Sequence, residues 1–436
     1  MKVVLDIENS VTQRGGKTHF DPFEPTNAMV FIGLLEETGE EHHYHRDGHE
    51  GVAWIQGILN KTTLLIGHNI AYDLVWLWEC GFKYDGPVFD TMLGEYLLQR
   101  GQKQPLSLEA CAQRYELETQ KESTLKDYLK KGVGVEDIPL NELSDYLSAD
   151  LHATQQLYNK IYDRLQSDKD NRLNNTIKMT NRVACVLARI FQRGFTVDKN
   201  ELLKVKKEFL AEKEAIQRTL DEEVCRLMGD TPINLNSPEQ LSWVIYSRKV
   251  YDKSTWVYDT NFVAGKDFQN KIKENSTLMY KTVATKCPAC YGNGKVRKTR
   301  KDGQPFAKAT KCVKCDGEGF TLTPTKELAG LKFSVPNKGW ITAGGFTTNK
   351  SKLEILEATA RGRNKTSAAD FLRDVRRLSA LDTYLSAFVE GIDLYTKPDG
   401  RLHVQLTQHM TATGRFSGRN PNMQNMPRGG TFPIKR

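Results

Sequence analysis

Residues 2–8, KVVLDIE, decide how this chain is read. The apolar run with Val3, Val4, Leu5 and Ile7 is the pattern of a buried strand. Side chains two apart on a strand point the same way, so Asp6 and Glu8 share a face. Two carboxylates this close repel, and a cation between them relieves the repulsion. Alone, a D-x-E pair is most often a solvated strand end, so its meaning depends on the rest of the chain.

Strands and helices alternate from residue 1 to about 165. AMVFIGLLEE and the polar EEHHYHRDG form a hairpin turning at TGE, residues 38–40. GVAWIQGILN is helical, and TTLLIGHN is a second buried strand leading into the helix AYDLVWLWECG, with Gly81 as its cap. VFDTMLGEYLLQ and LSLEACAQRYEL continue in helices, Asp90 being read as a helix N-cap. LNELSDYLSADLHATQQLYNKIYDRLQ is a long amphipathic helix. The pattern is that of an α/β domain with a mixed sheet. Residues 170–230 are almost wholly helical around a turn at RGFTVDKNE. Another helix lies at SPEQLSWVIYS, with Ser237 as N-cap and Pro238 in first position. Residues 250–345 lose periodicity, and helices return at SKLEILEATA and AADFLRDVRRLSALDTYLSAFVEG.

Two further elements join the D-x-E pair. In HNIAYD, Asn69 ends an apolar strand and Asp73 lies one helical turn on. In YLSAD, Tyr146 and Asp150 are four apart and share a helix face. In this order the three elements resemble the motifs of the 3′–5′ proofreading exonuclease domain of family A DNA polymerases, within the DEDD superfamily. The residue five before Asp150 is Asp145 rather than His, so the resemblance is to the tyrosine subtype. It implies a ribonuclease H-like (DnaQ-like) fold and a site for two Mg²⁺ or Mn²⁺ ions, about 3.5–4 Å apart in such sites. By resemblance, Asp6, Glu8 and Asp150 hold the metal on the nucleophile side, and Asp6 also reaches the second, supported by Asp73. Tyr146 orients the attacking water, and Asn69 contacts the terminal nucleotide.

CPACYGNG (287–294) and CVKCDGEG (312–319) are each C-x-x-C followed by x-G-x-G, and each resembles one zinc-binding repeat of the J-domain chaperones. Two such pairs about twenty residues apart point to one structural zinc held by Cys287, Cys290, Cys312 and Cys315. The glycines allow a tight turn after each pair and aim N–H groups at sulfur. The basic stretch between the pairs, KVRKTRKDGQPFAKATK, suits either contact with DNA phosphates or a solvated loop. Cys80, Cys111, Cys185 and Cys225 sit among apolar residues and read as core.

RGFTVDKNEL, INLNSPEQL, RRLSALDTYLSAF and KPDGRLHVQLTQHMTATGRFSGRNPNMQNMP occur in the order found in family A polymerases, bacterial DNA polymerase I and its phage relatives. The last resembles the T-G-R-x-S…P-N-x-Q-N-x-P motif at the palm–thumb junction. Arginine and amide side chains reach minor-groove acceptors that every base pair presents. The resemblance puts Arg415 at the primer terminus and Asn422, Gln424 and Asn425 on the primer–template duplex. The family's polymerase carboxylates and its nucleotide-gripping helix lie in motifs that this sequence does not contain. The expectation is therefore the N-terminal part of a phage-type polymerase, split or truncated, that does not polymerise without a second polypeptide carrying palm and fingers.

The divisions expected are an exonuclease domain over 1–165, a helical thumb region over 166–280, a zinc insertion over 281–325, and thumb with incomplete palm over 326–436. Residues after Pro427 are expected to pack loosely. The partners expected are a single-stranded DNA 3′ end and a primer–template duplex, in the cytoplasm of the cell, a host cell if the gene is a phage's. A formal charge of +8 agrees with a polyanionic partner. No apolar run is long enough to span a bilayer, and no signal-peptide pattern opens the chain. Two rival readings share the motifs: a stand-alone exoribonuclease of the same superfamily, and a non-catalytic assembly or DNA-binding subunit.

Overall fold

The computed structural model describes residues 1–14, 16–46, 51–118, 127–128, 130–167, 172–261, 263, 265–297, 304 and 308–426. The segment expected to pack loosely after Pro427 lies outside them. The chain divides into two compact units, Met1–Val205 with Ser386–Arg436, and Lys206–Leu385.

The first unit is built on β1 (Lys2–Asn9), the strand that KVVLDIE predicts. It lies at the centre of a five-stranded sheet with β2 (Met29–Glu36), β3 (Glu41–His45), β4 (Leu64–Gly67) and β5 (Val88–Asp90), in the order β3-β2-β1-β4-β5. β1 runs antiparallel to β2 and parallel to β4, so the sheet is mixed. The β2–β3 hairpin turns where TGE predicts. Helices α1 (Gly51–Lys61) and α2 (Ile70–Glu79) cover one face, packing Ile55, Leu59, Leu74 and Leu77 against Val3, Leu5 and Ile7. On the other face lie α3 (Thr91–Leu98), α4 (Leu108–Arg114) and the long α5 (Leu140–Gln166). There Leu143, Leu147 and Leu151 pack with Val4 and Ile66.

Gly33 on β2 pairs with Asp6. A Cβ there would sit 2.8–2.9 Å from Leu151 and Leu147. Only a glycine lets α5 settle this close to the sheet beside Asp6.

The C-terminal stretch belongs to this unit. Arg401–Leu402 pairs with Phe195–Thr196, and Gln405–Thr407 pairs with Ser417–Arg419 as a hairpin. The Gln408 amide donates to the Thr180 carbonyl at 3.1 Å, and the buried Lys397 ammonium lies 2.9 Å from Asp21 and 3.0 Å from Glu24.

The second unit buries Trp256, Phe268, Ile272, Leu353, Phe371 and Leu372 in one core. Its helices Lys350–Gly362 and Thr366–Thr383 pack together across a short turn. The cysteine segments form two small antiparallel ladders. In one, β6 (Tyr280–Lys286) pairs with β9 (Phe320–Leu328). In the other, β7 (Lys295–Val296) pairs with β8 (Thr310–Lys311).

Three expectations need correction. Val88–Asp90 is a strand, not the start of a helix: three buried residues joining β4 in parallel look the same in sequence as a first helical turn. Residues 250–345, read as losing helical periodicity, hold helices over Lys253–Asn261 and Gly265–Asn275. The first is anchored by the fully buried Trp256, with the adjacent Val257 partly buried against the same core, so its apolar residues are neighbours and leave no stripe to read. Cys80 and Cys225 are exposed, whereas Cys111 is buried and Cys185 is intermediate.

Candidate functional site: an acidic cleft and a four-thiol cluster

β1 brings Asp6 and Glu8 to the α5 side of the sheet. From α5, Tyr146 and Asp150 turn toward them on one face, both deeply buried. Carboxylate oxygens of Asp6, Glu8 and Asp150 lie within 4.8 Å of one another. Ligands on opposite sides of a hard cation with oxygen bonds of about 2.0–2.6 Å stand about 4–5 Å apart, so the three fit around one ion. The Tyr146 phenol hydrogen-bonds Asp150; burial, then the charges of Asp150, Glu8 and Asp6, push its pKa far up.

Asp73 comes from the first turn of α2, with 3% exposure, and is outside this triplet. Burial first, and then the negative charge of Asp6, push its pKa well up, with Asp90 and Glu8 adding to the effect. An acid so placed favours a cation beside it. The observed donor set of hard oxygens and crowded negative charge fits divalent metal ions.

Asn69 precedes α2 in the left-handed region, φ 67° and ψ 40°, which asparagine tolerates better than most residues. Its backbone N–H donates to Asp90 Oδ1 at 3.0 Å. Asp90 is indeed the N-cap of α3, also accepting from Met92 and Leu93, and burial pushes its pKa up to about 6.

A cavity of about 640 Å³ opens beside the carboxylates. Asp6, Asp150 and Asn69 line it, with His68, Lys103 and residues 409–412. Sequence reasoning missed the last group, because nothing local brings a segment three hundred residues away to this wall. A cavity of about 860 Å³, around Trp78, Arg189 and His403, contains none of the candidate catalytic residues.

The candidate duplex contacts all fall in one hairpin segment. Arg415 lies in the loop between the Gln405–Thr407 and Ser417–Arg419 strands and is exposed. Asn422 caps the turn Met423–Asn425, its side chain accepting from Gln424 N–H at 3.2 Å, while Gln424 and Asn425 are exposed.

In the second unit, Cys287, Cys290, Cys312 and Cys315 are buried together with no disulfide among them. Their sulfurs lie within 4.8 Å of one another, with 3.9 Å from Cys287 to Cys312 and 3.6 Å from Cys290 to Cys315. Tetrahedral zinc with Zn–S of about 2.3 Å sets sulfurs about 3.8 Å apart, so the cluster fits the ion. Gly294 and Gly319 N–H groups each donate to sulfur at 3.3 Å.

The glycines do more than turn the chain. A Cβ on Gly294 would lie 2.2 Å from the Gly317 carbonyl oxygen, and one on Gly319 would lie 2.5 Å from that of Gly292. Cys287 N–H donates to Gly319 and Cys312 N–H donates to Gly294. The two knuckles thus interlock reciprocally.

Residues 22–166 match the family model described as 3′–5′ exonuclease, and residues 299–435 match DNA polymerase family A. DNA polymerase I of Borreliella burgdorferi is 30% identical over 192 residues, 44% of this chain and 20% of that protein. DNA polymerase I of Bacillus subtilis is 22% identical over 377 residues, 86% of this chain and 30% of that protein. The chain thus spans less than a third of these relatives' length. The fold is similar to the POL domain of Pol1 from M. smegmatis, solved with DNA primer–template and dNTP. The TM-score is 0.58 at 17% identity, over 98% of this chain and 52% of that one.

Proposed function

Because the chain is a DNA polymerase I-like member of family A with a 3′–5′ exonuclease domain, we propose that it removes nucleotides from DNA 3′ ends as a proofreading nuclease. The observation that carries this reading is the meeting of Asp6, Glu8 and Asp150 within 4.8 Å, with Asp6 and Asp150 lining a cavity.

Divalent metal ions bound there would supply an activated water and neutralise charge on the phosphate and the leaving 3′-oxygen. Asp6, Glu8 and Asp150 would hold the ion on the nucleophile side, and Asp6 with Asp73 would serve the second. Tyr146, kept protonated by its surroundings, orients the attacking water. Asn69, at the cavity wall, meets the terminal nucleotide. Arg415, Asn422, Gln424 and Asn425 grip the primer–template duplex, and one structural zinc closes the four-cysteine cluster. The four-part division by motif belongs to the same reading. So does polymerisation by a part carrying palm and fingers, in a second polypeptide or in further sequence of this one.

The test is release of nucleotides from single-stranded DNA 3′ ends under Mg²⁺ or Mn²⁺, with RNA in parallel. Activity abolished by Asp6→Ala or Asp73→Ala is expected. A wild-type chain inert on DNA with either ion would refute the reading, and activity on RNA alone would replace it with that of an exoribonuclease.

A further inference from the structure

The positive charge of this chain is concentrated. Residues 281–327 hold eleven Lys and Arg against four Asp and Glu, a net +7 of the chain's +8. The rest of the sequence is therefore close to neutral, and the double knuckle carries the excess.

Its framework places that charge at some cost. Lys295 and Lys311 are direct partners across β7–β8. Like charges opposite each other destabilise a ladder, and among the described residues this ladder has two pairs. Asp316, 2.8 Å from Lys311, relieves one side. Lys286 and Lys311 each precede the first cysteine of a knuckle, and their stems run along its glycines. A Cβ on Gly317 would meet Lys311 Cε at 2.7 Å, and one on Gly292 would lie 3.9 Å from Lys286 Cδ. Lys286, Lys295, Arg297, Lys311 and Lys314 are all exposed.

One knuckle adds a ring. Tyr291 follows Cys290 at φ 53° and is 81% exposed. Asp316, at the same place in the other knuckle, has φ 47°, so the turn itself imposes the left-handed backbone. The turn thereby holds an aromatic side chain out in water, one residue before the glycine that the Lys286 stem approaches. Cations with an interleaved exposed ring are the chemistry that single-stranded nucleic acid recognises, phosphates against ammonium groups and a base against the ring.

We infer that the double knuckle is a binding surface for the DNA phosphodiester backbone, with Lys286, Lys295, Arg297, Lys311 and Lys314 facing phosphates and Tyr291 stacking on an unpaired base. The choice of DNA rests on the proposed exonuclease function; the charge and the ring do not.

The test uses the full chain, without Mg²⁺ or Mn²⁺, and a labelled single-stranded DNA, its affinity followed by anisotropy as salt is raised. Each phosphate contact on a single strand contributes about 0.7 to the log–log salt slope. The double variant Lys295→Gln/Lys311→Gln is expected to flatten the slope by about 1.4 and to weaken binding about 25-fold near 0.1 M salt. Tyr291→Ala is expected to weaken binding about tenfold with the slope unchanged. Zinc content, measured in each variant, is expected to stay at the wild-type value, as is nuclease activity on a very short strand. Unchanged affinity and slope in the lysine variant would overturn the proposal. So would an equal loss in the control Lys271→Gln. Absence of nuclease activity in the wild type would instead strike the exonuclease reading and leave this binding measurement standing.

Discussion

The phenol of Tyr96 on α3 donates a 2.8 Å hydrogen bond to the carbonyl of Thr411, whose own hydroxyl donates to the Arg415 carbonyl at 2.9 Å. A helix beside the candidate catalytic carboxylates thus anchors the loop that carries the candidate primer-terminus arginine. Residues 409–412 of that loop wall the cavity that Asp6 and Asp150 share. Tyr96→Phe removes one neutral hydrogen bond, worth about 1 kcal/mol. The Michaelis constant for single-stranded DNA should rise severalfold while kcat holds, because no carboxylate is touched. Steady-state nuclease kinetics checks this, and a fall in kcat with an unchanged KM would contradict it.

Gly33 sets the distance between α5 and the sheet. Gly33→Ala pushes a methyl group into Leu147 and Leu151, and overpacking of this kind costs about 1–3 kcal/mol. The loss should appear twice, as a lower unfolding midpoint and as weaker Mn²⁺ binding, since Tyr146 and Asp150 ride on the displaced helix. A destabilised variant with wild-type metal affinity would show that the carboxylates are placed by something other than this contact.

Burial and its carboxylate neighbours keep Tyr146 protonated, so the proposed role is that of a neutral phenol. Tyr146→Phe should cut the rate on the order of 10²-fold, leave metal titrations unchanged, and leave the shape of the pH–rate profile between pH 6 and about 10 unchanged. An alkaline limb present in the wild type and lost in the variant would mean that the phenol ionises.

Burial raises the pKa of Asp90 to about 6. Across the window from its unfolded value near 3.8 up to about 6, the folded chain holds a proton that the unfolded chain has released. Stability therefore falls as pH rises through that window, by about 3 kcal/mol in all. Asp90→Asn keeps an acceptor oxygen for the Asn69, Met92 and Leu93 N–H groups and removes the buried charge. Denaturant unfolding at pH 4.5 and 7.5 should then show a smaller stability loss than in the wild type. An equal loss would exclude Asp90 as its source.

Among the described residues the four cysteines form a buried cluster joined only by the partly buried Val296, so an ion is expected to hold the module together. Cys312→Ser, or a strong chelator, should remove zinc and expose the backbone of β6 and β9 to hydrogen exchange, while the core around Trp256 and Phe371 stays protected. Unchanged protection in metal-free protein would mean that zinc is not what orders the module.

Where chemistry and periodicity coincide, the sequence was readable. Alternation in KVVLDIE placed Asp6 and Glu8 together, and the four-residue step placed Tyr146 and Asp150 on one face. The x-G-x-G spacing foretold the N–H groups on sulfur. What escaped reading was long-range. The Lys397 contact with Asp21 and Glu24, the strand pairing of Leu402 with Phe195, and the wall at 409–412 join segments with no local signal for each other. Gly33 escaped for a related reason. Its role lies in what packs opposite it, and a glycine in a strand does not announce its neighbour.

The reciprocal glycines at 294 and 319 make the two knuckles heritable only as a pair. Each half lacks the carbonyl, the strand partner and the two cysteines that the other brings, so losing one repeat forfeits the whole module, not half of it. A side chain added at Gly294 is felt at Gly317, in the other half. A second lesion at Gly319 should then cost little more than the first, because both break one object.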